Sequence, residues 1–411
     1  MRKYGQGEAR GKLRWVQWLA MALGACVFLS NMFGFTRPGV TEDLLKKSQM
    51  NAQRAETQRR LQVFGCAPGD EDNWPDICYR FKADQMIQEC QDSTLETFGG
   101  ASLRFATENG RKVEDDDLAI YFLHIEKCGG SSMWNFLKKN EGIKAMNTRF
   151  PWQLGGFDLG FHDAHSLTEE ELERARELML PARVIIGHYV HGIHDITPER
   201  PYMYVTMMRE PLDRLVSQYY FWKKLYDKTY GDNLVDFLTN TTKPQAAHKD
   251  NLMTRVLCGR EAYETPRDKL TYRHMYCAMQ NLRNYSVVLF TDRYDMSIQI
   301  LRTTFNWPYA TQVAERPTLN NGKHQEEGKK QPQEVLEAAK PLTKYDNYLY
   351  RLGNCMWELQ KQRFYDTSRT LALPSDEALL AKLKGVRVPE KKVIPFVAPP
   401  RPPQIGPEAE E

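Results

Sequence analysis

Leu118-Ala119-Ile120-Tyr121-Phe122-Leu123-His124-Ile125-Glu126-Lys127-Cys128-Gly129-Gly130-Ser131-Ser132 is the stretch whose reading decides the fold. Leu118 to His124 is a short apolar run, the pattern of a buried strand. Two glycines then allow a tight turn, and Ser132 to Lys139 reads as a helix. Strand, glycine turn and helix in that order can hold an anion. Consecutive N–H groups point at one ligand, and the helix N-terminus adds its dipole. Lys127 supplies a mobile positive charge, while Ser131 and Ser132 offer hydroxyls. The spacing is not that of the Walker loop, GxxxxGK[ST]. Gly5 to Lys12 looks superficially closer to it, but no strand precedes that segment.

Downstream the alternation continues. Ser166 or Thr168 caps a Glu-rich helix running to about Met179. Arg183 to Gly187 and Tyr202 to Met208 read as further strands, and Pro211 opens a helix through about Tyr226. Ser286 to Thr291 reads as a fourth strand, followed by a helix around Met296 to Phe305. This order predicts an α/β fold with a central parallel sheet. Residues 312–333 read as a mobile polar loop, and Leu342 to Phe364 as a long helix. The strand ending at Met208 runs into Arg209-Glu210-Pro211-Leu212-Asp213-Arg214-Leu215-Val216-Ser217. Arg209 falls at a strand's C-terminal end, where open α/β sheets bind ligands. With Arg214 one turn and Ser217 two turns into the helix, this segment suits a second phosphate.

Upstream, Trp15 to Phe35 contains no charged residue and is long enough for a transmembrane helix. Arg2, Lys3, Arg10, Lys12 and Arg14 precede it, which keeps the N-terminus cytoplasmic. The expected organisation is a cytoplasmic tail (1–14), a signal anchor (15–35), a stem (36–112), a lumenal domain (113–370) and a proline-rich, disordered tail (371–411). The eight cysteines fit an oxidising compartment, with Cys258–Cys277 the preferred local pair. Asn240 and Asn284 begin glycosylation triplets. The chain has 411 residues, 41% hydrophobic and 27% charged, which excludes global disorder. A net charge of +3 excludes a histone-like nucleic-acid binder, and a mean hydropathy of −0.60 excludes a many-pass membrane protein.

Together the lysine loop and the arginine–serine helix resemble the sulfotransferase family. The resemblance is closest to the Golgi membrane carbohydrate enzymes, above all the heparan sulfate 2-O-sulfotransferases, with a loop nearer the 6-O enzymes. Gly187-His188-Tyr189 and Tyr202 to Phe221 carry it. It is strong within 118–221 and weaker to about residue 365. It implies a P-loop-type three-layer sandwich and transfer of a sulfuryl group from 3′-phosphoadenosine 5′-phosphosulfate (PAPS) to a glycan hydroxyl. In that reading Lys127, Cys128, Gly129, Gly130, Ser131, Ser132, Arg209 and Ser217 bind the nucleotide. His188 is the base, Lys127 stabilises the leaving phosphate, and no metal takes part. The sequence departs from the family at Cys128, often Thr or Ser there, and at Glu126, usually neutral.

Other readings compete. His188, His191 and His194 suit a zinc site if their segment is helical. His124 packs or orients the loop, and His162 and His165 are weaker substrate-side positions. Lys138, Lys139, Lys223, Lys224 and Lys228 suit a rim for a polyanionic glycan, and Lys323 suits closure over the nucleotide. Protein tyrosine is an alternative acceptor, a nucleoside kinase-like enzyme an alternative activity, and a tethered glycan-binding protein a non-catalytic alternative. The resemblance also permits a homo-oligomer and places the chain in the Golgi membrane as a type II protein.

Overall fold

The computed structural model describes residues 66, 74–94, 98, 118–139, 145–147, 164–226, 233–240, 249–305 and 331–370. The anchor at 15–35, nearly all of the 312–333 loop and the tail beyond 370 lie outside the described residues. Among the described residues no helix is long and apolar enough to cross a membrane.

β1 (Ala119–Leu123) forms the centre of a five-stranded sheet. β2 (Ala145–Asn147), β3 (Val184–Gly187), β4 (Tyr202–Met208) and β5 (Val287–Phe290) complete it in the order β2-β3-β1-β4-β5. Every pairing is parallel. All side chains of β1, β3 and β5 are buried, so both faces of the sheet are covered and the strands read as unbroken apolar runs. Leu123 lies opposite Gly187 on one side and Thr206 on the other. From β3 to β4 the chain crosses to the other side of β1. The loops leaving β1 and β4 therefore diverge, and the crevice between them is the fold's switch point.

The helices are α1 (Asp76–Gln91), α2 (Gly130–Lys139), α3 (Glu169–Met179), α4 (Pro211–Tyr226), α5 (Leu234–Thr239), α6 (Leu252–Cys258), α7 (Arg260–Glu264), α8 (Tyr272–Arg283), α9 (Tyr294–Thr304), α10 (Gln333–Thr343) and α11 (Asp346–Thr370). Thr168, not Ser166, caps α3: Glu171 N–H donates to its hydroxyl at 3.3 Å, and the Glu171 carboxylate accepts from Thr168 N–H at 2.9 Å. Glu210 does similar work for α4, accepting from Asp213 N–H at 2.7 Å. Gln360 of α11 accepts from Val288 N–H at 3.2 Å, so a helix covers the edge strand β5. α4, α5 and α10 enclose a second apolar core around Leu215, Trp222, Phe237 and Leu342.

The expected stem needs correction. α1 packs on α8 and α11, and a disulfide joins Cys90 to Cys355 on α11. A second disulfide, Cys66–Cys78, braces the start of α1. The folded unit therefore reaches back into the stretch read as a stem. α1 was hard to see because its apolar residues follow no clean helical stripe. It is buried by its neighbours and bolted by sulfur. Cys258–Cys277 forms as expected.

Candidate active site

Three strand ends meet at the crevice. After β1 the chain folds into a tight turn, with φ of +65° at Lys127 and +83° at Gly129. Between them Cys128 N–H donates to the Ile125 carbonyl at 3.2 Å. Lys127 lacks glycine's freedom, so its left-handed backbone costs on the order of 1 kcal/mol. Both glycines are imposed by close approach. A Cβ at Gly129 would lie 2.7 Å from Met207 Sδ, and one at Gly130 would lie 1.9 Å from the His124 ring. Met133 N–H is the first to bond back, to Gly129 O at 3.1 Å. The N–H groups of Gly130, Ser131 and Ser132 precede it in the first turn of α2, where helices have no internal acceptors. Both serines are half-buried at the same helix end.

Cys128 differs from its neighbours. Its thiol is fully buried, and burial pushes it up to about 12 against the opposing pull of Arg214 and Arg209. It pairs with no other cysteine. The side chain belongs to the core, so what Cys128 offers a ligand is backbone alone.

β4 delivers Arg209, half-buried, whose Nη1 donates to the Lys127 carbonyl at 3.3 Å. α4 then turns one stripe toward the loop. Gln218 Nε2 donates to Glu126 Oε2 at 3.0 Å, and Lys127 Nζ sits 3.7 Å from the centroid of the Phe221 ring. Ser217 shares this stripe, four residues before Phe221. Lys127 and Arg209 thus border one crevice, and Ser217 lies half-buried on α4 one turn before Phe221. Arg214 does not border it. It is 1% exposed, donating to Gln218 Oε1 at 2.8 Å and to the Lys249 carbonyl at 3.4 Å. The expectation that Arg214 helps hold a second phosphate is corrected: it braces α4 from beneath.

β3 delivers His188, 8% exposed. Its ring stacks on His124 with centroids 4.1 Å apart and planes 28° apart. Its Nδ1 lies 2.9 Å from the His124 carbonyl oxygen. A carbonyl can only accept, so Nδ1 carries a proton, and in the neutral form of the ring the lone pair falls on Nε2.

His191 and His194 leave this site. The segment after His188 is irregular and then forms a short 3-10 turn, Ile193–Ile196, so helical spacing is lost. His191 packs beside Tyr204 and Tyr285, at 4.8 and 5.9 Å. Burial, helped by His194, lowers it to about 3. Burial also lowers His194, against the opposing charge of Asp195, and its Nδ1 lies 2.9 Å from the Tyr204 hydroxyl. The three imidazoles do not share a centre. Among the described residues no group of three or more His, Cys, Asp or Glu is placed to hold a metal. His165 lies at the surface, 3.7 Å from Asp195. Lys223 and Lys224 are exposed on α4. His162, Lys228, Lys323 and the side chains of Lys138 and Lys139 lie outside the described residues.

A buried polar knot supports the site, and sequence reasoning missed it. The Asp346 carboxylate accepts from Met253 N–H at 3.1 Å and Thr254 N–H at 2.8 Å, capping α6 from another helix. Burial pushes Asp346 up to about 6, opposed first by Arg214. Arg255 is fully buried, pairs with Asp250 and donates to the Ala262 carbonyl at 2.9 Å. α6 then holds the loop after His188, because His191 N–H donates to the Val256 carbonyl at 2.8 Å. Lys249-Asp250-Asn251 looks like an ordinary polar loop in sequence, and only the fold pairs it with residues about a hundred positions on.

The sequence pattern of the sulfotransferase family matches residues 111–352, more than half of the chain. No curated protein matches the chain. The matched stretch contains all five strands and every side chain described at the crevice. The chain belongs to the sulfotransferase family.

Proposed function

We propose that the chain transfers a sulfuryl group from PAPS to a hydroxyl of a glycan, most closely an acidic polysaccharide of the glycosaminoglycan type. The supporting observation is the meeting of three strand ends. A lysine loop with helix N–H groups, Arg209 at the end of β4 and a buried histidine whose Nδ1 donates to the His124 carbonyl border one switch point. Open α/β sheets bind nucleotides at that place.

In this reading the N–H groups of Gly130, Ser131 and Ser132 hold the 5′-phosphosulfate, and Arg209 with Ser217 holds the 3′-phosphate. His188 Nε2 takes the acceptor's proton as the new O–S bond forms. The S–O bond to the 5′-phosphate breaks, and its electron pair stays on the phosphate oxygen. Lys127 meets the charge that develops there, in a preorganised position. A positioned base contributes roughly 10²–10⁴-fold. The anchor at 15–35 would tether the enzyme to the Golgi membrane with this domain in the lumen, and Lys223 and Lys224 would favour an anionic acceptor.

The test supplies labelled PAPS and O-desulfated heparan sulfate to the full-length chain. Label should appear on the polysaccharide, with a loss of about 10²-fold or more in His188→Ala. Label on protein tyrosine instead would transfer the reading to another acceptor. Full turnover by Lys127→Ala would remove its basis.

A further inference from the structure

His124 was expected to pack or orient the phosphate loop. Its ring does pack against Gly130 of that loop, and it makes a second set of contacts. Its ring lies flat on the His188 ring at 4.1 Å, and its own carbonyl accepts the His188 Nδ1 proton at 2.9 Å. One residue therefore fixes His188 twice, by main chain and by side chain. The ring is itself confined. A single carbon added at Gly130 would lie 1.9 Å from His124 Cδ2 and 2.0 Å from its Nε2. The ring thus sits between the N-terminus of α2 and the His188 imidazole, with no room for a side chain on the helix side. Leu123, just before it, pairs with Gly187, just before His188, so the sheet register brings the two rings to one level. The arrangement needs glycine at 130, a flat ring at 124 and strands ending together.

We infer that His124 is a positioning residue for His188. It holds the imidazole in the tautomer with the lone pair on Nε2 and aims that nitrogen into the crevice. The inference rests on the reading of His188 as the base. His124 makes no bond to the reacting atoms; it acts through His188. Removing its ring leaves the carbonyl in place but lets the His188 ring tilt and exchange tautomers. A base displaced by about 1 Å loses on the order of 10²-fold in rate.

The test uses the full-length chain and four variants: His124→Ala, His124→Phe, His188→Ala and the double His124→Ala/His188→Ala. Rates are taken with labelled PAPS and O-desulfated heparan sulfate, nucleotide affinity with 3′,5′-ADP, and the His188 tautomer by nitrogen NMR of labelled histidine. His124→Ala should lower kcat by about 10–100-fold, with the 3′,5′-ADP Kd kept within about twofold. His124→Phe, which keeps a flat ring, should recover most of the rate. The double variant should be no slower than His188→Ala, because both changes strike one unit. The His188 signal should show a single tautomer in the unaltered chain and in His124→Phe, and an averaged one in His124→Ala. A rate unaffected by His124→Ala, losses that add in the double variant, or nucleotide affinity falling in step with rate would each overturn the inference. The last would return His124 to the loop. Full rate in His188→Ala would instead sink the base assignment, and the NMR arm would still judge whether His124 holds the ring. If His124→Ala does not fold, Gly130→Ala displaces the same ring from the other side. It should reproduce the rate loss and the averaged signal, and an unchanged signal there overturns the inference.

Discussion

Replacing His191 by Phe should make the fold gain stability on acidification relative to the unaltered chain. His191 has an ordinary value of 6.5 and is lowered to about 3, chiefly by burial among Tyr204, Tyr285 and His194. The folded form thus binds fewer protons than the unfolded chain between pH 3 and 6.5. Its contribution is full above pH 6.5 and is lost as pH falls. The slope is about 1.4 kcal/mol per pH unit and the total about 5 kcal/mol. Asp346 acts in the opposite sense. Burial raises it from 3.8 to about 6, so the folded form binds more protons across that window, and stability falls as pH rises through it. Between pH 4 and 6 the two slopes nearly cancel in the unaltered chain. In His191→Phe, whose ring fits the same aromatic stack, only the Asp346 slope remains of the two. Urea unfolding at pH 4, 5 and 6 with disulfides intact measures it. Relative to the unaltered chain, the variant should gain about 1.4 kcal/mol for each unit of acidification, near 3 kcal/mol over the range. Asp346→Asn should show the opposite trend. A difference between His191→Phe and the unaltered chain that stays constant with pH would show that burial does not hold His191 neutral in acid.

Phe221→Leu removes the ring beneath the Lys127 ammonium, 3.7 Å away, and should weaken 3′,5′-ADP binding by about 3–10-fold, while Phe221→Tyr keeps the ring and the affinity. Calorimetry separates the two, and equal behaviour of Leu and Tyr would exclude a role for the aromatic face. Opening the Cys90–Cys355 bridge, which closes 265 positions of sequence, should cost about 3–5 kcal/mol in urea unfolding, and a loss below about 1 kcal/mol would show that α1 holds without it.

The parts of the fold that were legible in sequence are those where local pattern and burial agree. β1, β3, β4 and β5 are short apolar runs because a parallel sheet is covered on both faces, and Tyr202–Met208 matched its expected bounds. α4 announced itself by Pro211 at its first position. β2, only Ala145–Asn147, is too short to carry a period. Of the helices from Leu234 to Arg283, which went unassigned, α6 is held by polar contacts at long sequence distance, with Asp346 on its N-terminus. Lys127, Arg209 and His188 were legible as strand-end positions, and Ser217 as a position on the helix that follows β4. The role of Arg214 was misread because spacing alone places it one turn from Ser217 and cannot tell a buried side from an open one. Gly130 was legible as a turn residue, but its contact with the His124 ring is a property of packing.

In the proposed reading Lys127 and Arg209 border a nucleotide site. Titration of the full-length chain with 3′,5′-ADP tests it most directly, repeated with Lys127→Ala and Arg209→Ala. Binding should be micromolar and weaken at least tenfold in each variant, the size expected for charge-assisted bonds worth about 1.5–3 kcal/mol. No binding by a folded, monodisperse chain, or binding that neither substitution alters, would contradict it.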